Sequence, residues 1–193
     1  MRVKRIKQGG EEVNLVQPIR EKEKIEATKR ALLDSGYRNY MLFVIGINTG
    51  LRISDLLQLQ VADVRDKTHV TITEGKTDKT KRFFINPQLR DEIANYIQGM
   101  DDHEYLFQSQ KGENRPISRV QAYRILNKAA QEVGLDEVGT HTMRKTFGYW
   151  HYKEFGDVAD LQQLFNHSSQ SVTLRYIGIA QEDTDKRLEN FFL

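Results

Sequence analysis

The residues best suited to chemistry in this 193-residue chain lie between His141 and Tyr176. His141 and Arg144 are three positions apart, so on a helix their side chains share one face. His167 follows, and Tyr176 comes nine positions after it. Arginine can grip two oxygens of a phosphodiester, histidine can move a proton near neutral pH, and tyrosine can attack phosphorus. The set points to phosphate chemistry, although no member alone is specific for it.

A further arginine opens a segment that is predicted to be helical. Gly50 ends a mostly apolar helix predicted over residues 38–48, and Arg52 stands two positions later. Because the N-terminus of a helix is already positive, an anion near Arg52 would resolve the electrostatic conflict. A surface arginine on an amphipathic helix is the structural alternative. Asp55 is placed either to orient a neighbouring basic group or to remain a solvated carboxylate.

A basic β-hairpin is predicted after this segment. Residues 69–74 and 82–86 have the composition of strands, and the stretch between them carries Lys76, Lys79 and Lys81. A lysine ammonium can give a proton to a departing oxygen, which arginine cannot readily do because its pKa is very high. Steering of phosphates by all of these cations is a second interpretation that does not exclude the first.

Taken in order, these elements resemble the catalytic domain of the tyrosine recombinases, the phage integrase family. The resemblance is carried by T-G-L-R-I-S-D-L-L-Q-L at residues 49–59, a hairpin lysine, H-T-M-R, N-H-S-S and a closing tyrosine. It implies a site-specific DNA recombinase that works through a 3′-phosphotyrosyl intermediate without metal, ATP or another cofactor. It further implies a catalytic set of Arg52, Lys76, His141, Arg144, His167 and Tyr176, with Lys79 as the alternative to Lys76.

The resemblance also implies contacts outside the catalytic set. The remaining basic residues of the hairpin and the lysine after Arg144 are expected to bind double-stranded DNA: Lys79, Lys81, Arg82 and Lys145. Asp55 would support a catalytic neighbour. Lys145 departs from the commonest family pattern, which has histidine there, and Asn166 replaces a glycine. Since asparagine tolerates left-handed backbone, the turn at Asn166 should persist.

The family further implies a homotetramer on two DNA sites as the active form, and it allows a monomer without DNA. Relatives usually carry a core-binding domain ahead of the catalytic one. Because few residues precede the resembling region here, the chain is either a piece of a longer protein or a short natural relative. Type IB topoisomerase-like strand relaxation and a non-catalytic DNA-binding accessory protein are the competing functions. The complete set of candidate residues argues against the non-catalytic accessory protein.

Composition excludes other kinds of protein. The chain has no cysteine, so it has neither disulfides nor a thiolate metal site, which fits a cytoplasmic location. Its longest apolar run, residues 40–47, is far shorter than the ~20 residues of a membrane span. A net charge of +2 is only mildly basic. A role with nucleic acid therefore depends on the local clusters of cations at residues 1–7 and 76–82, for which solvated surface is the simpler interpretation.

Periodicity predicts one mainly α-helical domain with a small antiparallel β-hairpin, an α+β fold. We expect a flexible basic leader over residues 1–20, a catalytic domain over 21–180, and a C-terminal helix over 181–193. That helix would dock on its own core or on a neighbouring protomer. Helices are predicted to begin after Asn86, Ser118 and Thr140. The second of these is expected to bury Val120, Tyr123, Leu126, Ala130 and Val133.

Overall fold

The computed structural model describes residues 6–8, 11–13, 16–73, 80–136, 138–189 and 191–192. The helices are α1 (Lys22–Asp34), α2 (Tyr37–Thr49), α3 (Ile53–Leu56), α4 (Pro87–Tyr96), α5 (Arg119–Glu132), α6 (Thr142–Phe155), α7 (Val158–Phe165), α8 (Gln170–Tyr176) and α9 (Ile179–Leu188). The strands are β1 (Ile6–Gln8), β2 (Glu11–Val13), β3 (His69–Thr73) and β4 (Thr80–Phe84). The predicted class, mainly helical with a small antiparallel sheet, is confirmed.

Within the described residues, two antiparallel strand pairs accompany the helices. β1 pairs with β2, and β3 pairs with β4 in a register that sets His69 opposite Phe84 and Thr73 opposite Thr80. The second pair is the predicted basic hairpin. Its tip, residues 74–79, lies outside the described residues, and so do the predicted roles of Lys76 and Lys79.

Polar side chains cap several helices. The Asn86 side chain accepts from the Leu89 backbone N–H, and the Ser118 hydroxyl accepts from that of Gln121, as predicted. The prediction that Thr140 caps the next helix is wrong. The backbone turns tightly at Gly139, whose N–H donates to the Thr142 hydroxyl. The helix therefore starts one residue later than predicted, and His141 occupies the N-cap position of α6.

Two apolar clusters form the interior of the part of the chain that the structure describes. The larger surrounds α2, which packs on α1, α4 and α6 and buries Leu42, Phe43 and Ile45. The smaller cluster lies among α6, α7 and the chain around α8, and it is built from Tyr149, Leu161, Phe165, Ile177 and Ile179. The side chain of Tyr176 packs against this second cluster. The helix that ends at Tyr176 thus has an apolar support close to the site.

The face of α5 turned to the core differs from the prediction. Leu126 and Ala130 are buried as expected, but Val120 and Tyr123 are 58% and 43% exposed. Ala122 and Ala129 are buried instead. Small side chains let α5 lie close to α1, and that approach turns the larger side chains of Val120 and Tyr123 towards solvent.

Both ends of the chain also differ from expectation. Residues 16–20, assigned to the flexible leader, are packed against α6, and Ile19 is only 3% exposed. At the other end, Leu188, Phe191 and Phe192 are 56%, 63% and 97% exposed, so of the two predicted alternatives these side chains do not show docking on their own core. The division into leader, catalytic domain and C-terminal helix stays a prediction. No described helix has the length and apolar character needed to cross a membrane.

Candidate active site

Four short segments position the candidate residues. Arg52 precedes α3 in extended backbone, directly after the left-handed turn at Gly50. The helical segment predicted to open at Arg52 is limited to the four residues of α3. His141 and Arg144 lie at the start of α6, and Tyr176 is the last residue of α8.

His167 follows the C-terminus of α7, where Asn166 has φ 58°. The persistence of this turn with asparagine in place of glycine is therefore confirmed. The His167 N–H donates to the carbonyl of Gln162, and the Gln162 side chain donates back to the His167 carbonyl. These contacts fix the backbone of His167 at the end of the helix.

Arg144 is the buried centre of the site. It is 3% exposed, and its guanidinium donates to the backbone carbonyls of Gly50 and Phe165. One side chain therefore ties the turn before Arg52 to the turn before His167. Burial lowers the pKa of Arg144 to about 10, with an opposing effect of the Tyr176 phenol. Arg144 keeps its positive charge at neutral pH.

Tyr176 is half-buried among the other candidates. Its hydroxyl lies 3.1 Å from Nδ1 of His141. The His167 and Phe165 rings pack against it edge-on, with centroids 4.9 and 5.7 Å away. Burial raises the pKa of Tyr176, and the charges of Arg144 and Arg52 oppose that shift. The phenol is therefore protonated at neutral pH, and it must lose its proton when it attacks.

His141 is suited to accept that proton. Burial lowers its pKa, and the nearby charges of Lys145, Arg144, Arg119 and Arg52 lower it further. A histidine with a pKa below 6.5 is mostly neutral at pH 7, and a neutral imidazole has one nitrogen that accepts. The short distance from its Nδ1 to the phenol makes His141 the nearest described candidate base.

The His167 ring is positioned by Thr173. Its Nδ1 lies 3.0 Å from the hydroxyl of Thr173, and that hydroxyl donates to the Ser169 carbonyl. With the Thr173 proton on the Ser169 carbonyl, this pair is satisfied by the tautomer in which Nδ1 of His167 carries the hydrogen. Burial lowers the pKa of His167, and the charges of Arg144, Arg52 and Lys81 add to the effect. Nε2 is then the nitrogen left to accept a proton or to contact a ligand.

Arg52 lies near every other described candidate. Its charge lowers the pKa values of His141, Arg144, His167 and Tyr176. Both arginines are therefore on the same side of the molecule, around one phenol. The carboxylate of Asp55 raises the pKa of Arg144, which places Asp55 close enough to support that cation. This concentration of positive charge suits an anionic ligand.

The basic residues predicted to bind DNA have different surroundings. Lys81 donates to the carbonyls of Gln163 and Leu164 at the C-terminus of α7. Arg82 is exposed on β4, with Nη2 3.1 Å from Nδ1 of His69. The Lys145 ammonium is half-buried and donates to the carbonyl of Val16 at 2.7 Å. Of the three, Arg82 is the exposed one.

Sequence reasoning missed Phe165 and Thr173. The Phe165 ring centroid lies 4.1 Å from the Arg144 guanidinium, and the Thr173 hydroxyl lies 3.0 Å from Nδ1 of His167. Thr173 had a usable signal, because a residue three positions before Tyr176 on one helix shares its face. Phe165 had no signal beyond an apolar periodicity. Among the described residues, no group of three or more His, Asp or Glu side chains is arranged to hold a metal ion.

The comparisons with known proteins agree with the geometry of the site. The model of the family described as "Phage integrase family" matches residues 19–183. The chain is 52% identical over 172 residues to the probable integrase/recombinase YoeC of Bacillus subtilis strain 168, which covers 89% of this chain and 94% of that protein. Other curated relatives are longer, and the chain spans about half of their length.

Solved structures share the fold. The crystal structure of XerA recombinase matches with a TM-score of 0.72 at 22% identity, over 91% of this chain and 65% of that one. A lambda integrase tetramer bound to a Holliday junction matches with a TM-score of 0.65 at 16% identity, over 84% of this chain and 48% of that one. At such identities, these likenesses show a common architecture only.

Proposed function

The chain belongs to the phage integrase family, and we propose that it is a site-specific DNA recombinase that breaks and rejoins strands through a phosphotyrosyl intermediate on Tyr176. The observation that carries the proposal is the contact of the Tyr176 hydroxyl with Nδ1 of His141, 3.1 Å away, beside Arg144 and Arg52. A nucleophile, a neutral base and two cations around one point are what transesterification at a phosphodiester requires.

The two arginines would bind the scissile phosphate. Arg144 is fixed by two backbone carbonyls, so little reorganisation is needed when charge develops on the phosphate oxygens. Arg52 would grip the second non-bridging oxygen from the adjacent turn. Nε2 of His167 would contact the same phosphate, whose negative charge favours protonation of that imidazole. Together these groups would stabilise the pentavalent transition state.

Strand cleavage would then follow by direct displacement. The Tyr176 oxygen attacks phosphorus while its proton passes to His141, and the bond from phosphorus to the 5′-oxygen breaks. A 3′-phosphotyrosyl bond forms, and the 5′-oxygen leaves as a hydroxyl after it gains a proton. By resemblance, Lys76 is the proposed proton donor, with Lys79 as the alternative. The 5′-hydroxyl of another strand reverses the step, so the phosphodiester energy is conserved without ATP.

The proposal is tested with a nicked suicide duplex, from which the short 5′-hydroxyl fragment diffuses away and traps the adduct. Incubation in EDTA followed by denaturing electrophoresis should show a protein–DNA adduct with the wild-type chain. Tyr176→Phe should show none while it binds the duplex nearly as well. Because Tyr149 is buried in the same apolar cluster, Tyr149→Phe is the matched control and should still form the adduct. Adduct formation by Tyr176→Phe would remove Tyr176 from the mechanism.

Double-stranded DNA is the proposed partner, and a homotetramer on two sites is the proposed active form, with a monomer in the absence of DNA. The lambda integrase tetramer on a Holliday junction supports this assembly by likeness of fold. The exposed apolar residues Leu188, Phe191 and Phe192 offer a surface for a neighbouring protomer. A cytoplasmic location belongs to the same proposal. A nicked plasmid-length substrate and sedimentation analysis would test the assembly.

The competing functions are less well supported. YoeC and the Xer proteins carry recombinase names, which favours exchange between sites over strand relaxation by a topoisomerase-like reaction. A non-catalytic accessory role fits poorly with a base, a nucleophile and two arginines brought together around one phenol. Relaxation of a supercoiled plasmid that lacks any special site would favour the topoisomerase-like reaction.

A further inference from the structure

A segment ahead of α1, residues 16–20, crosses the helix that carries Arg144, and we call it the strap. The Ile19 N–H donates to the hydroxyl of Thr146 at 2.9 Å, and the indole of Trp150 donates to the Ile19 carbonyl at 2.9 Å. Both partners belong to α6, and Thr146 is two positions from Arg144. The strap is therefore bonded through its backbone to the catalytic helix.

The strap also reaches the chain that follows Tyr176. Arg20 Nη2 donates to the carbonyl of Gly178, 3.5 Å away. A Cβ atom at Gly178 would lie 2.6 Å from this nitrogen and 3.4 Å from the Pro18 ring, so the strap and the turn pack in direct contact. Gly178 is two positions after Tyr176. The strap thus joins the helix that carries Arg144 to the turn that follows Tyr176 in the chain.

Lys145 provides a third link, and this one reaches the nucleophile itself. Its ammonium donates to the Val16 carbonyl at 2.7 Å and lies 5.1 Å from the centroid of the Tyr176 ring. A lysine stem is flexible, so an ammonium without a fixed acceptor would sample many positions. Burial lowers the pKa of Lys145, and the charge of Arg20 lowers it further, which agrees with an enclosed position. The Val16 carbonyl therefore holds the cation over the face of the phenol.

We propose that Lys145, held by the strap, is a positioning residue that aims the Tyr176 phenol at the phosphate. The inference rests on the proposed function, in which Tyr176 attacks phosphorus. His167 and Phe165 contact the phenol ring edge-on, and the Lys145 cation lies against its face. Positioning matters because a displacement of about 1 Å at a reacting atom can slow a reaction on the order of a hundredfold. Lys145 thereby acts through Tyr176 and does not serve as a phosphate anchor.

Three lysine variants separate these roles. Lys145→Met keeps an apolar stem but loses the cation and the donor, while Lys145→Arg keeps both. Lys24→Met is the matched control, because the Lys24 ammonium also donates to a backbone carbonyl, that of Val133, at the far end of α5. Cleavage of the suicide duplex is measured in single turnover at saturating protein, and the affinity for DNA is measured separately.

Lys145→Met should cleave about tenfold more slowly with affinity changed less than about twofold, and Lys145→Arg should recover most of the rate. Lys24→Met should match the wild type. The defect should persist on a substrate with a 5′-thiolate leaving group, because that group needs no proton. Rescue by the thiolate would make Lys145 a proton donor and overturn the proposal. A second result would also overturn it: Lys145→Met could keep the saturated cleavage rate but bind DNA more weakly, with a salt dependence reduced by about one charge. That result marks a phosphate contact.

The strap is tested through Thr146, whose hydroxyl accepts from the Ile19 N–H. Thr146→Val keeps the shape of the side chain but removes the acceptor of the Ile19 N–H, whereas Thr146→Ser keeps the hydroxyl. The valine variant should share the rate defect of Lys145→Met, and the serine variant should not. Wild-type rates in both would overturn the part of the proposal that concerns the strap.

A spectroscopic measurement keeps the inference testable without DNA cleavage. Incorporation of 3-fluorotyrosine gives a ¹⁹F resonance for Tyr176, which is assigned by its loss in Tyr176→Phe. Lys145→Met and Thr146→Val should shift and broaden this resonance, while Lys145→Arg and Lys24→Met should leave it in place. An unchanged resonance in both perturbing variants would refute the positioning role. Absence of an adduct with the wild-type protein would instead refute the proposed function. The ¹⁹F measurement would still report whether Lys145 positions Tyr176.

Discussion

Arg144 contacts Phe165 in two ways. Its guanidinium donates to the Phe165 backbone carbonyl at 3.2 Å, and it also lies 4.1 Å from the centroid of the Phe165 ring. The second arm of the guanidinium donates to Gly50. A charged side chain that is 3% exposed is thus held by backbone carbonyls and an aromatic face. The same residue supports the fold and carries the proposed chemistry.

Removal of Arg144 should therefore cost stability as well as activity. In Arg144→Ala, two buried carbonyls lose their donor and the aromatic contact is lost, so we expect the free energy of unfolding to fall by roughly 3 kcal/mol. Arg124→Ala, on the exposed side of α5, is the control and should change it by less than about 0.5 kcal/mol. Urea denaturation measures both. Equal, small losses would mean that Arg144 is not a structural centre.

Arg52→Ala should reduce catalysis more than affinity. If Arg52 stabilises the transition state, the single-turnover rate should fall about 10²–10³-fold at saturating protein, with only a modest change in binding. Arg82→Ala is the comparison, because Arg82 is exposed on β4. That variant should instead weaken binding and reduce the salt dependence by about one charge. Equal losses of rate and affinity in Arg52→Ala would make Arg52 a phosphate anchor.

The cleavage rate should fall on the acid side as His141 becomes protonated. Because burial and neighbouring cations lower the pKa of His141, the rate should hold down to about pH 6.5 and drop below it. Arg119→Gln removes one of those cations and should move the acid limb to higher pH. His103→Gln, at an exposed site, should leave the limb in place. An acid limb that does not move in Arg119→Gln would argue against His141 as the titrating base.

Stability should follow the same histidines. Folding lowers the pKa values of His141 and His167, so below about pH 6.5 the unfolded chain binds more protons than the folded one. Above that pH both histidines are neutral in the folded and the unfolded chain, so their burial costs no protonation energy. The free energy of unfolding decreases as the pH falls through the lowered pKa values. Denaturation of His141→Gln at pH 7 and pH 5.5 should show a smaller difference than the wild type.

Gly50 should be less replaceable than another left-handed glycine. Gly50 and Gly156 have φ values of 66° and 69°, which penalise alanine by about 1–2 kcal/mol. A Cβ at Gly50 would also lie 2.4 Å from the ring of Phe147, whereas one at Gly156 would meet no atom within 4 Å. Gly50→Ala should thus be more destabilising by about 2 kcal/mol. Similar melting temperatures for both variants would contradict this account.

Much of the local structure could be predicted because its causes lie within a few residues. Asn86 and Ser118 cap their helices through N–H groups three residues on, and Asn166 adopts left-handed backbone at the end of α7. The burial of α5 could not be predicted in this way. Which of its faces turns inward depends on how closely it approaches α1, and that approach favours alanines over Val120 and Tyr123.

The sequence by itself determined the candidate chemistry, since residue types and their order identified Arg52, His141, Arg144, His167 and Tyr176. Only the tertiary structure decided what holds them. The contacts of Arg144 with Gly50 and of Lys145 with Val16 join residues 94 and 129 positions apart. No local periodicity or capping pattern in the sequence predicts contacts at such separations, because they form only after distant segments have packed together.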